Sequence, residues 1–207
     1  MIKRLFDIGI VLIFLPLLLP LTVIISTILF IIQGTPIIFI QNRVGKDNKI
    51  FKLYKFRTME VTAAEDFHKS HYFDLAKGKT IEPNNAPLEP IRIENDDRIT
   101  SLGRILRRAS LDELPNILNV IMGDMSLVGP RPLFEEDTKL FEKKYMRRLN
   151  VLPGITGLLQ INERNTSEFS IWYKYDLSYI ENWSLLLDLQ IILKTPVAIF
   201  RSKIIGK

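Results

Sequence analysis

The chain has no cysteine among its 207 residues, which excludes disulfides, thiolate zinc sites and cysteine nucleophiles and fits a reducing compartment. Histidine is nearly as scarce. His68 and His71, with Glu65, Asp66 and Asp74 nearby, have the residue types of a metal site, but a spacing of three is common by chance and no metal is assigned there. A glycine-rich phosphate loop, a dinucleotide fingerprint and a hydrolase serine elbow are all missing. So are internal repeats and low-complexity tracts, and the composition excludes disordered, collagen-like and coiled-coil classes. One absence is local: residues 8–32 carry no charge, and 19 of these 25 residues are hydrophobic.

That run concentrates the excess apolarity of a chain whose hydrophobic fraction is 47% and whose mean hydropathy is +0.12. As a helix it would extend about 37 Å, enough to cross a ~30 Å hydrocarbon core. A cleaved signal peptide is not expected, because the run is too long and no small-x-small site follows it. Pro16 and Pro20 sit inside it, each removing a backbone hydrogen bond and crowding the preceding turn. Lys3 and Arg4 precede it while Arg43 and Lys46 follow, so positive charge gives no preferred direction of crossing. A helix–break–helix that enters and leaves by one face satisfies both facts. A kinked single-pass helix is the alternative that these physical arguments leave open.

Residues 35–207 read as one further domain. Two strand-like segments flank Gly45-Lys46-Asp47-Asn48, the pattern of a hairpin. Residues 60–97 hold nine acids and four bases, with Pro83, Pro87 and Pro90, and read as a surface loop or short helices. From Ile99 to Met122 the pattern is helical, Leu102, Ile105 and Leu106 forming one apolar face and Leu114, Ile117, Leu118 and Ile121 another. Gly129-Pro130-Arg131-Pro132 demands a rigid turn, Glu135 to Asn150 reads as a charged helix, and Pro153-Gly154 opens another turn. Trp172, Tyr173, Tyr175, Tyr179 and Trp183 suit a membrane interface, although an aromatic helix face is more often simple core. The tail from Leu185 to Ile205 reads as an interfacial amphipathic element, or else as a helix packed on the core. The expected fold class is α+β and mainly helical: a re-entrant membrane helix over 1–34, then a domain over 35–207 with a small β-hairpin and interfacial amphipathic helices.

The net charge of +5 hides a partition. Arg98, Arg104, Arg107 and Arg108 stand with no acid before Asp112, and Lys139 to Arg148 has five bases against Glu142 alone. Clustered bases of this kind face phosphate on nucleic acid, lipid or a small substrate.

Chemistry is sharpest at Arg107-Arg108-Ala109-Ser110-Leu111-Asp112-Glu113. Ser110 and Glu113 have the spacing of a capping box, and in that plain reading Asp112 merely favours the positive end of a helix. The functional reading uses the same residues. Successive helical side chains diverge by about 100°, so two adjacent carboxylates can hold different roles, one attacking and one binding a hard cation. Mg²⁺ takes one or two carboxylates plus substrate phosphates, and a carboxylate attacking phosphorus gives an acyl phosphate. In Val128-Gly129-Pro130-Arg131-Pro132, two prolines fix the backbone of an arginine suited to gripping phosphate. Lys55 and Arg57 alternate on one strand face with Phe56 opposite.

These residues carry a resemblance. Lys3-Arg4-Leu5-Phe6-Asp7, Gln41-Asn42-Arg43-Val44-Gly45 and Tyr54-Lys55-Phe56-Arg57-Thr58-Met59 resemble segments of the bacterial sugar transferases, the monotopic polyprenyl-phosphate phosphoglycosyl transferases. So do Arg98-Ile99-Thr100 through Arg107, Ser110 to Pro115, Gly123-Asp124-Met125-Ser126, Val128 to Pro132 and Pro153 to Gly157, in order along nearly the whole chain. The resemblance implies a helix broken near Pro20 and a catalytic domain resting on the cytoplasmic face of the bacterial inner membrane. It implies transfer of a sugar phosphate from a UDP-sugar to polyprenyl phosphate, with release of UMP, as the first membrane step of glycan assembly. Asp112 matches the nucleophile and Glu113 the Mg²⁺ ligand, so both are expected to be catalytic. Arg107 and Arg131 match phosphate-handling arginines, and Asp176 an aspartate near the active site; Lys55, Arg57 and Arg164 complete the expected substrate-binding set. Anionic lipids are expected partners, nucleic acid is not, and a homodimer is left open.

Three departures stand out. Asn116 follows Pro115 where many members have glutamine, Glu163-Arg164-Asn165 replaces a frequent Gly-Arg-Asn, and residues 60–92 form a long acidic insertion. Two other function classes fit parts of the chain: a membrane-tethered nucleic-acid binder using the basic stretches, and a non-catalytic subunit of a glycan-assembling complex.

Overall fold

A computed structural model describes residues 2–60, 97–135, 138, 143–163 and 169–205. Most of the acidic stretch, with His68 and His71, lies outside the described residues. Helix α1 spans Ile2–Gln33 and is helical throughout, with Pro16 and Pro20 inside it; the expected break is not a non-helical interruption. Its hydroxyls are satisfied within the helix. Thr22 donates to the Leu18 carbonyl, Ser26 to Thr22 and Thr27 to Val23, so that no polar group need seek water from an apolar segment.

Both ends of α1 hold on to the same domain. At the N-terminal end the Asp7 carboxylate, almost fully buried, accepts from Ser126 Oγ at 2.8 Å and the Leu127 N–H at 3.3 Å. Arg4 donates to the carbonyls of Val120 and Ile121, and Lys3 reaches Asp188 at 2.7 Å. At the other end, Arg57 donates to the carbonyls of Gln33 and Gly34, placing a cation where the helix leaves carbonyls unmatched. Gln33 also donates to Thr100 Oγ1 at 2.8 Å. Val11 packs with Leu53, Val120 and Met125, while Ile25 and Leu29 pack with Phe56 and Leu106. Between these seats Leu12, Ile13, Phe14, Leu17, Leu19, Val23 and Ile24 are exposed.

Strands β1 (Ile38–Val44) and β2 (Ile50–Phe56) form the expected antiparallel hairpin, in register from Ile38 opposite Phe56 to Val44 opposite Ile50. Asp47 and Asn48 turn it in the left-handed region, which short polar side chains tolerate. Helix α2 (Ser101–Ala109) is capped by Thr100 Oγ1, which accepts from the Gly103 N–H. It ends at Ser110, itself left-handed with φ 56°. A 3-10 turn over Leu111–Glu113 follows, then α3 (Asn116–Met122). The helical pattern read from Ile99 to Met122, with its two apolar faces, is thus two helices separated by a tight turn. Nor does the capping box form: Ser110 closes α2 instead, and its side chain makes no cap bond to the next turn. The two apolar faces do not all turn inward, since Ile105, Leu118, Ile121 and Met122 are exposed.

Asn119, wholly buried, joins α3 to the outer edge of β2: its Oδ1 accepts from the Tyr54 N–H and its Nδ2 donates to the Lys52 carbonyl. Two three-residue strands, β3 (Ser126–Val128) and β4 (Gly154–Thr156), pair in parallel, a contact the sequence pattern did not announce. A 3-10 segment, Lys143–Asn150, occupies the end of the region read as a charged helix. Helices α4 (Leu158–Asn162), α5 (Phe169–Glu181) and α6 (Leu185–Ile205) complete the described fold. It is α+β and mainly helical, as expected.

Asp188 on α6 is the hub that joins three helices. It is fully buried and accepts from Lys3 at 2.7 Å, Tyr179 OH at 2.7 Å and Trp183 Nε1 at 3.0 Å. Asp188→Ala would take the acceptor from Lys3 and Trp183 and leave Tyr179 only the Val128 carbonyl, at a cost of about 3–5 kcal/mol. For a chain of this size the expected result is a fall of roughly 10 °C in the melting temperature of the detergent-purified protein. A fall of under 2 °C would show that the hub carries no such weight.

Candidate active site

The 3-10 turn that separates α2 from α3 presents Asp112 and Glu113 together. Ser110 in the left-handed region ends one helix, and Pro115, which has no N–H to give, stands where the next begins. The acid pair is thus confined to three residues of tight turn. Glu113 Oε1 accepts from Lys55 Nζ at 2.9 Å and lies 3.4 Å from Arg131 Nη1. Lys55 comes from β2, on the strand face opposite the core residue Phe56, as the alternation required.

Asp112 is half-buried beside this cluster. Burial, and then the charge of Glu113, push its carboxyl above the usual carboxylate range; Lys55, Arg107 and Arg131 pull it back down. A carboxylate held this way is more basic than one in water, while three cations still favour its ionised form. Lys55, Arg107, Asp112, Glu113 and Arg131 therefore converge, from β2, α2, the 3-10 turn and the proline-bounded turn.

That proline-bounded turn is fixed from four directions. Gly129 N–H donates to Thr156, and Gly154 N–H to Pro130, at 2.9 and 2.8 Å. This backbone approach leaves no room for a side chain: a Cβ on Gly154 would lie 2.1 Å from the Gly129 nitrogen. Arg43, stacked 3.4 Å over the Phe134 ring, donates to the Pro132 carbonyl. Arg148 donates to the Arg131 carbonyl at 3.0 Å.

Three expected substrate-binding residues are not part of the cluster. Arg57 is buried at the end of α1, where its guanidinium caps carbonyls. Asp176 is buried on α5 and paired with Arg148 at 2.9 Å, and among the described residues it is linked to the cluster through Arg148 and the Arg131 backbone. Arg164 lies outside the described residues. Arg148 is the residue that sequence reasoning missed; it was legible only as one base in the run from Lys139, and nothing local marks it as the buried member.

Among the described residues there is no group of three His, Cys, Asp or Glu able to hold a metal by themselves. The donor set nevertheless suits Mg²⁺, which needs one or two carboxylates and takes the rest from phosphate and water. Glu113 and Asn116 line one small cavity with Lys55 and Arg131, and the buried Asn116 Oδ1 has no hydrogen-bond partner, an orphaned hard oxygen beside a carboxylate.

The chain matches the bacterial sugar transferase family model over residues 1–202. It belongs to the bacterial sugar transferase family. The exopolysaccharide production protein ExoY of Sinorhizobium fredii is 36% identical over 97% of this chain and 86% of its own length. The undecaprenyl-phosphate galactose phosphotransferase of Salmonella typhimurium is 36% identical over 82% of this chain, and the match spans 34% of that longer protein. The UDP-glucose:undecaprenyl-phosphate glucose-1-phosphate transferase of Klebsiella pneumoniae is 39% identical over 97% of this chain and 40% of its own length. Membership makes this sugar transferase an enzyme and agrees with the resemblance seen in its motifs.

The Arg148–Asp176 pair has a measurable consequence. Burial outweighs the attraction of Arg148, and the Asp176 carboxyl is pushed up to about 6 from an ordinary 3.8. A carboxyl raised on folding favours the folded state most below its unfolded value, and that contribution is lost as pH rises through 6. The melting-temperature difference between wild type and Asp176→Asn is therefore expected to shift against wild type between pH 5 and 7. A pH-independent difference would contradict the assignment.

Proposed function

We propose that this sugar transferase moves a sugar phosphate from a UDP-sugar to a polyprenyl phosphate such as undecaprenyl phosphate, releasing UMP. The observation that carries the reading is the Asp112–Glu113 pair set among Lys55, Arg107 and Arg131 in a chain of this family. The curated names of the Salmonella and Klebsiella relatives point to the same donor and acceptor chemistry.

In the first half-reaction a carboxylate oxygen of Asp112 attacks the sugar-linked phosphorus. An O–P bond forms to Asp112, the phosphoanhydride O–P bond breaks, and UMP leaves with the electron pair. In the second, an oxygen of the polyprenyl phosphate attacks the same phosphorus and Asp112 departs as a carboxylate. Lys55, Arg107 and Arg131 hold the phosphate oxygens and offset the charge that gathers there. Glu113 and Asn116 are the residues that would hold Mg²⁺, which when bound supplies further neutralisation of phosphate charge. ExoY's name places that relative in exopolysaccharide production, and assembly of a cell-surface glycan is the role proposed for this product.

The acceptor is a lipid, so the enzyme works at a membrane. We place the domain on the cytoplasmic face of the inner membrane, where the UDP-sugar is found, with α1 entering and leaving the same leaflet. Support for re-entry comes from the two polar anchorages of α1 on one domain, because a helix held at both ends by one domain cannot deliver those ends to opposite faces. The exposed apolar residues Ile105, Leu118, Ile121 and Met122, with Leu186, Leu193, Val197 and Phe200 of α6, suit contact with the same lipid surface.

Asp112→Asn is expected to abolish both UMP release and a covalent sugar-phosphate adduct seen by intact mass, a loss on the order of 10³-fold or more. Normal turnover by that variant would rule out the covalent route. Topology has its own test, made simple by the lack of native cysteine. Single cysteines at Ile2→Cys and Thr35→Cys in sealed vesicles should react with an impermeant maleimide from the same side; labelling from opposite sides would mean that the helix spans.

A further inference from the structure

Arg107 is the phosphate-handling arginine whose own support is unassigned. Its Nε donates to Thr58 Oγ1 at 2.8 Å, and Thr58, just past the end of β2, is almost fully buried. The carbonyl of the same threonine accepts from the Thr100 N–H at 3.1 Å, at the start of α2. Gly103 then lies directly on that carbonyl. A Cβ there would come within 2.1 Å of the Thr58 oxygen, so glycine alone allows the helix to approach so closely.

Gly103 and Arg107 are four residues apart and share one face of α2. One threonine therefore meets both. Its carbonyl seats the helix backbone, and one turn on its hydroxyl catches the arginine side chain. The two contacts fix where α2 lies and which way the guanidinium points. A flexible arginine loses most of its rotamer freedom when it grips phosphate, and one already held at Nε loses less.

We infer that Thr58 is a positioning residue for the transfer reaction: its buried hydroxyl pre-orients Arg107 toward the phosphate that Asp112 attacks. The inference rests on the proposed phosphoglycosyl transfer and adds to it a residue that touches no substrate. Valine in place of threonine keeps the shape and the β-branch but removes the acceptor, and serine restores the acceptor.

The test uses the full chain in lipid nanodiscs with polyprenyl phosphate, Mg²⁺ and whichever UDP-sugar the wild type accepts, following UMP release. Thr58→Val is expected to lower kcat/KM about 10- to 100-fold, the size of a lost hydrogen bond to a charged group, while Thr58→Ser stays within about threefold of wild type. Arg107→Ala should be slower still, and in that background Thr58→Val should cost less than about twofold more, since no guanidinium remains to orient. Equal losses from Thr58→Val with and without Arg107 would overturn the inference, as would loss of activity in Thr58→Ser. Should Thr58→Val not fold, Thr58→Ala carries the same cycle; if both unfold, the hydroxyl is a structural support and the inference falls. A wild type that releases no UMP from any UDP-sugar would instead sink the proposed function, leaving the two failures distinct.

Discussion

Between Asp7 and Arg43 the chain carries no charge, so its longest helix can be gripped by polar bonds only near its ends. The rest of the structure is arranged around that constraint. The domain offers buried donors and acceptors at two places: Ser126 and the Leu127 N–H for Asp7, and the Arg57 guanidinium for the last carbonyls of α1. A carboxylate as buried as Asp7 is costly unless it is paired, which makes each such bond specific about where the helix sits. The elements doing the holding also build the active site. Arg57 is two residues from Lys55 and adjoins Thr58, while Ser126 begins the strand that leads into the Pro130–Pro132 turn.

The site itself is an exercise in like charge made tolerable. Adjacent carboxylates in a half-buried turn repel one another, and burial adds to the difficulty. Three basic side chains from three separate elements supply the compensation. Two of them are held from behind: Arg107 by Thr58, and Arg131 by its prolines and by Arg148 at its carbonyl. Preorganisation of this kind lets a site meet a charged ligand without waiting for long side chains to find their places.

Much of this was legible in the sequence, for identifiable reasons. The hairpin around Gly45 to Asn48 is a local object, set by neighbouring residues and by alternation, and it was read correctly. The acid pair and its arginines were singled out because several short motifs occur in a known order, not because composition demanded them, and the fold brings Lys55, Arg107 and Arg131 around the pair. The parallel pairing of Ser126–Val128 with Gly154–Thr156 was invisible: three-residue strands carry no period, and their pairing is a long-range event. Arg57 and Asp176 show the other limit. Both were expected to bind substrate, and the structure shows each buried against protein groups, a circumstance that a single sequence does not display. Ser110 failed as a capping residue because the chain needed it to end one helix before it could begin the next.

The Asn119 side chain carries a consequence for the open edge of the hairpin. A two-stranded hairpin leaves one backbone edge of β2 open, and an open edge is a template on which another chain can add a strand. By bonding to the Tyr54 N–H and the Lys52 carbonyl, the carboxamide of Asn119 takes one donor and one acceptor that an incoming strand would use. One buried side chain thereby interrupts the middle of that edge, so that a strand added there would first have to displace it.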